Sequence, residues 1–267
     1  MPRRARRRSA SWYRRRSVLT AAALAGVAVA SVVLVSWLLV FRSSGGSQSP
    51  GPPTAAIVDQ LSFNVPNPDF VRQTTMLLQQ GGYRVDYYGA EQVNVDFYRR
   101  LPEHGYKLII FRSHADRLQA EWHGKPIDEV ILFTSEPYDR SKYVADQAAN
   151  RLVIASYSKG GDEYFGIAPD FFNKELGNFR GATIVMMGCE GLLSTRTAEA
   201  FVNLGAKTYI SWDESVTASH TDTATGVLLH HLLLESKPPG DAVALTMVDV
   251  GPDPVYGSRL RVYPPGG

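Results

Sequence analysis

The sequence of 267 residues contains a single cysteine, Cys189. One cysteine cannot form an intrachain disulfide, so this thiol is a small buried apolar group, an intermolecular link or a reactive group. The cysteine, histidine and acidic residues nowhere show the spacing of a zinc site. The glycine-rich stretch "SKGGDE" lacks the lysine pattern of a phosphate-binding loop. We therefore expect no metal and no cofactor.

Acidic residues are absent before Asp59, whereas eight arginines lie among the first sixteen residues. From Ser43 onward the balance is reversed, because 19 basic and 26 acidic residues give a net charge of −7. The basic character of the chain therefore belongs to its N-terminal tail. The rest is acidic, which argues against a nucleic acid as a partner.

Charge is also absent from Val18–Phe41, a run of 24 residues. A helix needs about 20 apolar residues to cross the hydrocarbon core of a membrane. We predict a transmembrane signal anchor at 17–42 and a basic cytoplasmic tail at 1–16, because an excess of arginine favours the inner side. The rest of the chain would then lie outside the cytoplasm. The alternative is a long cleaved signal peptide, although the apolar region of such signals is usually about 7–15 residues.

The stretch at 43–53, "SSGGSQSPGPP", has the composition of a flexible linker. The 214 residues at 54–267 contain no internal repeat and no second linker, and they suffice for one sizeable domain. We therefore predict a single domain over 54–267, attached to the membrane through the N-terminal helix.

Strand and helix patterns alternate at the start of this domain. Apolar runs predict strands at Ala55–Leu61, Tyr83–Gly89 and Tyr106–Ser113, and the segments between them have helical spacing. This alternation indicates a parallel sheet with helical crossovers.

The middle of the domain contains two β-rich runs, which predict a hairpin or a small antiparallel sheet, followed by a short helix over 168–179. One further strand leads to Cys189, and another, "KTYISWD", ends at Asp213. "SRLRVYP" predicts an edge strand near the C-terminus. The predicted fold class is α/β, a three-layer sandwich with a mainly parallel central sheet.

Two of the predicted strands lead to reactive side chains. "IIFRSHAD" leads to His114, and "IVMMGCEG" leads to Cys189. In an open α/β sheet, ligands bind outside the carboxyl ends of the strands, so both side chains are candidates for a site there. A histidine beside a cysteine can take the thiol proton and create a nucleophile. The alternatives are an inert buried thiol and a histidine that only forms hydrogen bonds at the end of a strand.

Together these segments resemble the caspase-like cysteine peptidases, a superfamily that includes caspases, legumain, gingipains, clostripain, separase and CHAT domains. In that superfamily one apolar strand leads to histidine, and a later one leads to a small residue and cysteine. "MGCEGLL", "AFVNLGAKTYISWDES" and "DPVYGSRLRVYP" carry further similarity. The resemblance covers most of 54–264 and implies a caspase-like fold.

The resemblance also implies roles for particular residues. Cys189 would be the nucleophile and His114 the general base, with the backbone N–H groups of Ala115 and Cys189 as oxyanion donors. The chain departs from the family pattern in two ways. It has His-Ala where the family usually has His-Gly, and His114 and Cys189 are 75 residues apart, against roughly 50 in caspases. A β-rich insertion at about 121–165 would account for the longer separation.

The substrate preference follows from one further position. Caspases have Ser-Trp-Arg at the end of the strand after the catalytic one, and the arginine helps to bind an acidic side chain. This chain has Ser211-Trp212-Asp213 there. The resemblance therefore implies that Asp213 and Trp212 contact the substrate and that a peptide or protein is cut after Arg or Lys. The alternative is that Asp213 is a solvated loop carboxylate.

Three function classes remain open at this stage. The first is a membrane-anchored cysteine endopeptidase with a Cys-His dyad. The second is a catalytically inactive caspase-like or CHAT-like module that binds or senses at the cell surface, and the third is another α/β hydrolase or a flavodoxin-like binder. His123, in "WHGKP", is a second candidate for the base, whereas His104, His230 and His231 are expected to be structural.

Overall fold

The computed structural model of the chain describes residues 51–118, 121–122, 125–126, 129–173 and 177–265. The predicted basic tail and transmembrane anchor lie outside these ranges, as does most of the linker. Within the described ranges, no helix is both long enough and apolar enough to cross a membrane.

The first part of the domain alternates between strands and helices, as the sequence predicts. The elements are β1 (Thr54–Asp59), α1 (Pro68–Gln80), β2 (Arg84–Gly89), α2 (Val95–Arg100) and β3 (Leu108–Arg112). Helix α1 begins after Asn67, whose side-chain oxygen accepts a hydrogen bond from the N–H of Phe70 at 3.1 Å.

The middle of the chain is β-rich. Its elements are β4 (Ala115–Arg117), β5 (Glu121–Trp122), β6 (Lys125–Pro126), β7 (Val130–Pro137), α3 (Val144–Ala148), β8 (Leu152–Ser156) and β9 (Glu163–Ile167). Strands β4, β7, β9 and β8 form a second, antiparallel sheet in that order, which confirms the predicted antiparallel pairing. The short helix predicted over 168–179 is wrong for the described residues, which form only a three-residue 3₁₀ turn at Pro169–Phe171. Because Pro169 lacks an N–H, it fits the first turn of a helix, but the pattern "PDFF" buries two rings here without continuing the helix.

The last part returns to the central sheet. It contains β10 (Thr183–Met186), α4 (Arg196–Asn203), β11 (Thr208–Trp212), α5 (Ala218–Leu229), α6 (Pro239–Asp249) and β12 (Leu260–Tyr263). Helix α5 continues into a π-helical turn at His230–Leu234.

The central sheet of the described chain has six strands in the order β12-β11-β10-β3-β1-β2. Five of them are parallel, and β12 pairs antiparallel with β11 at the edge. Alternate residues of β1 pack into the two apolar cores, one on each face of the central sheet. Ala56 and Val58 pack with α2 and α4, whereas Ala55 and Ile57 pack with α1, α5 and α6. The predicted α/β fold with a mainly parallel sheet and covered faces is thus confirmed.

An ion cluster centred on the fully buried Arg112 and Asp59 lies at the carboxyl edge of this sheet. Arg112, at the end of β3, donates to Asp59 at 2.9 Å and makes two hydrogen bonds to Asp222 of α5, at 2.8 and 2.9 Å. Asn67 donates to Asp222 at 2.8 Å, and the Tyr87 hydroxyl donates to Asp59 at 3.3 Å. Burial raises the pKa of Asp59, and the Arg112 guanidinium opposes that rise. One cation therefore holds two strands and a helix together through two carboxylates.

We predict that Arg112→Gln lowers the free energy of unfolding by about 3–5 kcal/mol, because it leaves two buried carboxylates without a cation. The control is Arg72→Gln, which removes an exposed pair with Asp69 at 2.7 Å and should change stability by less than about 1 kcal/mol. Urea titration of both variants measures the difference. Equal effects of the two substitutions would contradict a supporting role for Arg112.

Candidate functional site

The carboxyl ends of β3 and β10 bring His114 and Cys189 to the same edge of the central sheet. The two strands are parallel neighbours, with Phe111 opposite Met186. His114 follows β3 by two residues, and Cys189 follows β10 by three. Because parallel strands end at a common edge, the two loops emerge side by side.

Gly188 is the point where these two loops touch. A Cβ atom at this position would overlap the carbonyl oxygen of Ser113 and would lie 3.0 Å from the backbone nitrogen of Ala115. Ser113 and Ala115 flank His114, and Gly188 immediately precedes Cys189. The backbone segments that carry the two candidate catalytic residues are therefore in direct contact, and only glycine permits this approach.

The N–H of Ala115, a predicted oxyanion donor, points away from the second sheet. Ala115 lies opposite Leu132 in the antiparallel pair of β4 and β7, and the N–H of Phe133 donates to the carbonyl of His114 at 3.1 Å. In this pattern Ala115 and Leu132 form a non-hydrogen-bonded pair. The N–H of Ala115 is thus directed to the side where Gly188 lies, one residue from Cys189.

Cys189 is half-buried, and its thiol packs against the core on the α5 side of the sheet. Its sulfur makes two hydrogen bonds with the backbone of Val216, whose N–H donates at 3.5 Å and whose carbonyl accepts at 3.6 Å. Burial raises the pKa of the thiol, the N–H of Val216 opposes the rise, and Glu190 and Asp116 add to it. The resting sulfur is therefore a protonated thiol, held by the backbone rather than by an imidazole.

The residue after Cys189 has an unusual backbone. Glu190 adopts a left-handed conformation with φ of 61°, and its N–H donates to the carbonyl of Glu214 at 3.0 Å. Such conformations are uncommon for residues other than glycine. The sharp turn places Cys189 at the surface end of its strand.

His114 is partly buried among aromatic rings. Its ring lies 4.8 Å from that of Tyr157 and 5.8 Å from that of Phe133, between ring centroids. Burial lowers the pKa of His114 and nearby Arg112 lowers it further, whereas Asp116 raises it. The imidazole is thus neutral at pH 7, as a general base must be before it accepts a proton.

Gln60 belongs to the candidate site, although the sequence analysis did not single it out. It is fully buried, its side-chain oxygen accepts the N–H of His114 at 3.1 Å, and its amide donates to the Tyr157 hydroxyl at 2.6 Å. Gln60 therefore fixes both the backbone of His114 and the ring beside it. The signal was present, because Gln60 follows the parallel strand β1 at the edge where sites are expected.

Trp212 does not line an open site. It is only 1% exposed, and its indole N–H donates to the Thr221 hydroxyl at 2.9 Å, which in turn donates to the carbonyl of Met187, also at 2.9 Å. Ser211 donates to the carbonyl of Met186 at 2.7 Å. The ring of Trp212 therefore helps to hold the turn before Cys189 in place.

Asp213 is likewise engaged within the domain. One oxygen accepts the N–H of Arg259 at 2.7 Å, and the other accepts the side chain of Arg261 at 2.8 Å. The carboxylate therefore joins the end of β11 to the C-terminal strand β12.

The other histidines have separate roles. His104 stacks on Tyr106 at 5.4 Å between ring centroids, and His231 lies between Glu235 at 3.0 Å and Asp249 at 2.8 Å. Hydrogen bonding to Glu235 raises the pKa of His231, which is the behaviour of a structural ion pair. His123 lies outside the described residues. In the described part of the chain, no group of three or more Cys, His and acidic residues could hold a metal ion.

We predict that Gly188→Ala destabilises the edge and lowers the rate at which Cys189 is alkylated by a peptide electrophile, because the new methyl group collides with the backbone beside His114. Gly226→Ala is the matched control, since a Cβ at that helical position meets no atom within 4 Å. It should stabilise the protein by up to about 1 kcal/mol. The free energy of unfolding and the alkylation rate of Cys189, measured on both variants, test this prediction. Equal values for the two variants would show that the contact at Gly188 is unimportant.

No protein-family model matches the chain, and no curated protein matches it.

Proposed function

We propose that the chain is a membrane-anchored cysteine endopeptidase of the caspase-like superfamily, with Cys189 as nucleophile and His114 as general base. The observation that carries this proposal is the contact at Gly188. It joins the loops of two neighbouring parallel strands, and each loop carries one of the two residues. The matching chain order of His114 and Cys189 in the superfamily supports the same conclusion.

The chemistry requires a rearrangement of the thiol. His114 would take the proton of Cys189, and the sulfur would attack the peptide carbonyl to form a thioester while the proton passes to the leaving amine. Water then hydrolyses the thioester and frees the cysteine. The N–H groups of Ala115 and Cys189 would stabilise the oxyanion. Because Val216 holds the resting thiol, substrate binding must turn the side chain of Cys189 toward His114. Catalytic contacts often tighten only with substrate.

The second candidate function is an inactive caspase-like or CHAT-like binding module. Two observations favour it, namely the engagement of the thiol by Val216 and the raised pKa of Cys189. Active cysteine nucleophiles usually have a lowered thiol pKa, near a cation or a helix N-terminus. The two candidates differ in whether His114 controls the reactivity of Cys189.

We predict that a membrane-impermeant peptide ketone electrophile labels Cys189 of the full chain in detergent. His114→Ala should lower the labelling rate about 100- to 10,000-fold, because the base is lost. His230→Ala is the matched control, since that side chain is 51% exposed and lies on another element. Labelling in intact cells tests the proposed orientation, with the domain outside the cytoplasm.

The outcomes separate the proposals. If labelling of the purified chain does not depend on His114, the module function is favoured over the peptidase. If the purified chain reacts but intact cells react only after permeabilisation, the orientation is wrong and the peptidase proposal stands.

Cleavage after Arg or Lys is part of the proposal, and it requires that the substrate cation replaces Arg261 at Asp213. This exchange is feasible because Arg261 is more than half exposed, and exposed ion pairs contribute only about 0.2–1 kcal/mol. Arg261→Gln should therefore raise kcat/KM for a substrate with arginine before the cut by about two- to fivefold. Asp213→Asn should remove the preference over aspartate at that position. An arginine preference that survives Asp213→Asn would exclude Asp213 from substrate binding.

A further inference from the structure

An open cavity of about 560 Å³ is lined by Gln60 and Tyr157, the two side chains that contact the backbone and the ring of His114. It is bounded by the ends of β1 and β2 and by strands of the second sheet. Tyr157 is shared, because it lines the cavity and also contacts the ring of His114 at 4.8 Å between centroids. In the sheet order, β10 lies on one side of β3, and β1 and β2 lie on the other. His114 thus separates the thiol from the cavity.

The lining of the cavity is aromatic. Phe63, Tyr87, Tyr157 and Tyr164 contribute rings, and Glu91 is the one charged side chain among the described lining residues. Phe63 is 79% exposed, so its ring is accessible to a ligand that enters the cavity. With no basic group in this lining, an anionic ligand would be repelled by Glu91. The surface therefore suits a flat or apolar side chain that carries no negative charge.

The order of steps in acyl transfer indicates which side of the substrate the cavity would bind. In acyl transfer by a Cys-His pair, the histidine gives its proton to the amine that leaves. The leaving segment must therefore pass over the imidazole. Beyond His114, as seen from Cys189, the next surface that the segment meets is the aromatic cavity.

Resting on the proposed function, we infer that this cavity binds an aromatic or apolar side chain of the substrate on the C-terminal, leaving side of the bond that is cut. Phe63 and Tyr164 contact that side chain. Gln60 and Tyr157 join the cavity to the backbone and ring of His114. Substrate held here is consequently positioned against the general base.

The experiment uses peptides that share one sequence before the cut and differ only after it, with phenylalanine, glycine or aspartate. A methyl ester with the same acyl part has neither a residue nor a ring on that side. The full chain should cut the phenylalanine peptide with a kcat/KM about 10- to 100-fold above that of the glycine peptide, and the aspartate peptide should be the poorest. Phe63→Ala should raise KM for the phenylalanine peptide and so remove most of that advantage.

Tyr256→Ala is the matched control, because Tyr256 is 57% exposed and does not line the cavity. It should leave the preference unchanged. If the methyl ester is cut but the three peptides are cut equally, the inference fails and the proposed function stands. If the preference exists but survives both Phe63→Ala and Tyr164→Ala, the assigned cavity is wrong. If no substrate is cut, the proposed function fails and the inference fails with it.

Discussion

The buried guanidinium of Arg112 is the interaction on which the architecture of the sheet edge depends. It binds Asp59 at the end of β1 and Asp222 on α5, so that the carboxyl ends of two neighbouring strands are fixed to one covering helix. The residues that follow these charged groups are Gln60 and Ser113-His114. The hydrogen bond from the N–H of His114 to Gln60 therefore joins two segments that the ion cluster has already aligned. Asn67 extends the same cluster to the start of α1.

The second constraint is steric rather than electrostatic. The loop after β10 approaches the loop after β3 so closely that Gly188 has no space for a side chain, and Gly191 has the same limitation against Ser211. Hydrogen bonds from Ser211 and Thr221 to the carbonyls of Met186 and Met187 hold the intervening turn. The position of Cys189 is thus determined by the backbone on both sides of it, which is typical of a site built on rigid elements.

Much of the fold could be predicted from the sequence, because apolar periodicity and glycine turns are local signals. The alternating strands and helices, the edge strand at Leu260–Tyr263 and the antiparallel middle segment are confirmed. Which side chains meet in space depends on pairings between distant residues. The hydrogen bonds of Gln60 with His114, of Gln60 with Tyr157 and of Asp213 with Arg261 span 54, 97 and 48 residues. The place of Gln60 after β1 puts it at the sheet edge, but local patterns do not predict which distant residues it contacts. Trp212 shows the same limit, since its motif does not reveal that the ring faces the core.

The protonated state of the resting thiol has a consequence for the chemical durability of the protein. Oxidation to sulfenic acid proceeds through the thiolate and increases with exposure, so a half-buried sulfur with a raised pKa reacts slowly with peroxide. The chain offers this sulfur no second cysteine with which to form a disulfide. Burial, rather than the hydrogen bond from Val216, therefore favours the reduced form of Cys189, because burial raises the pKa of the thiol and the N–H of Val216 opposes that rise.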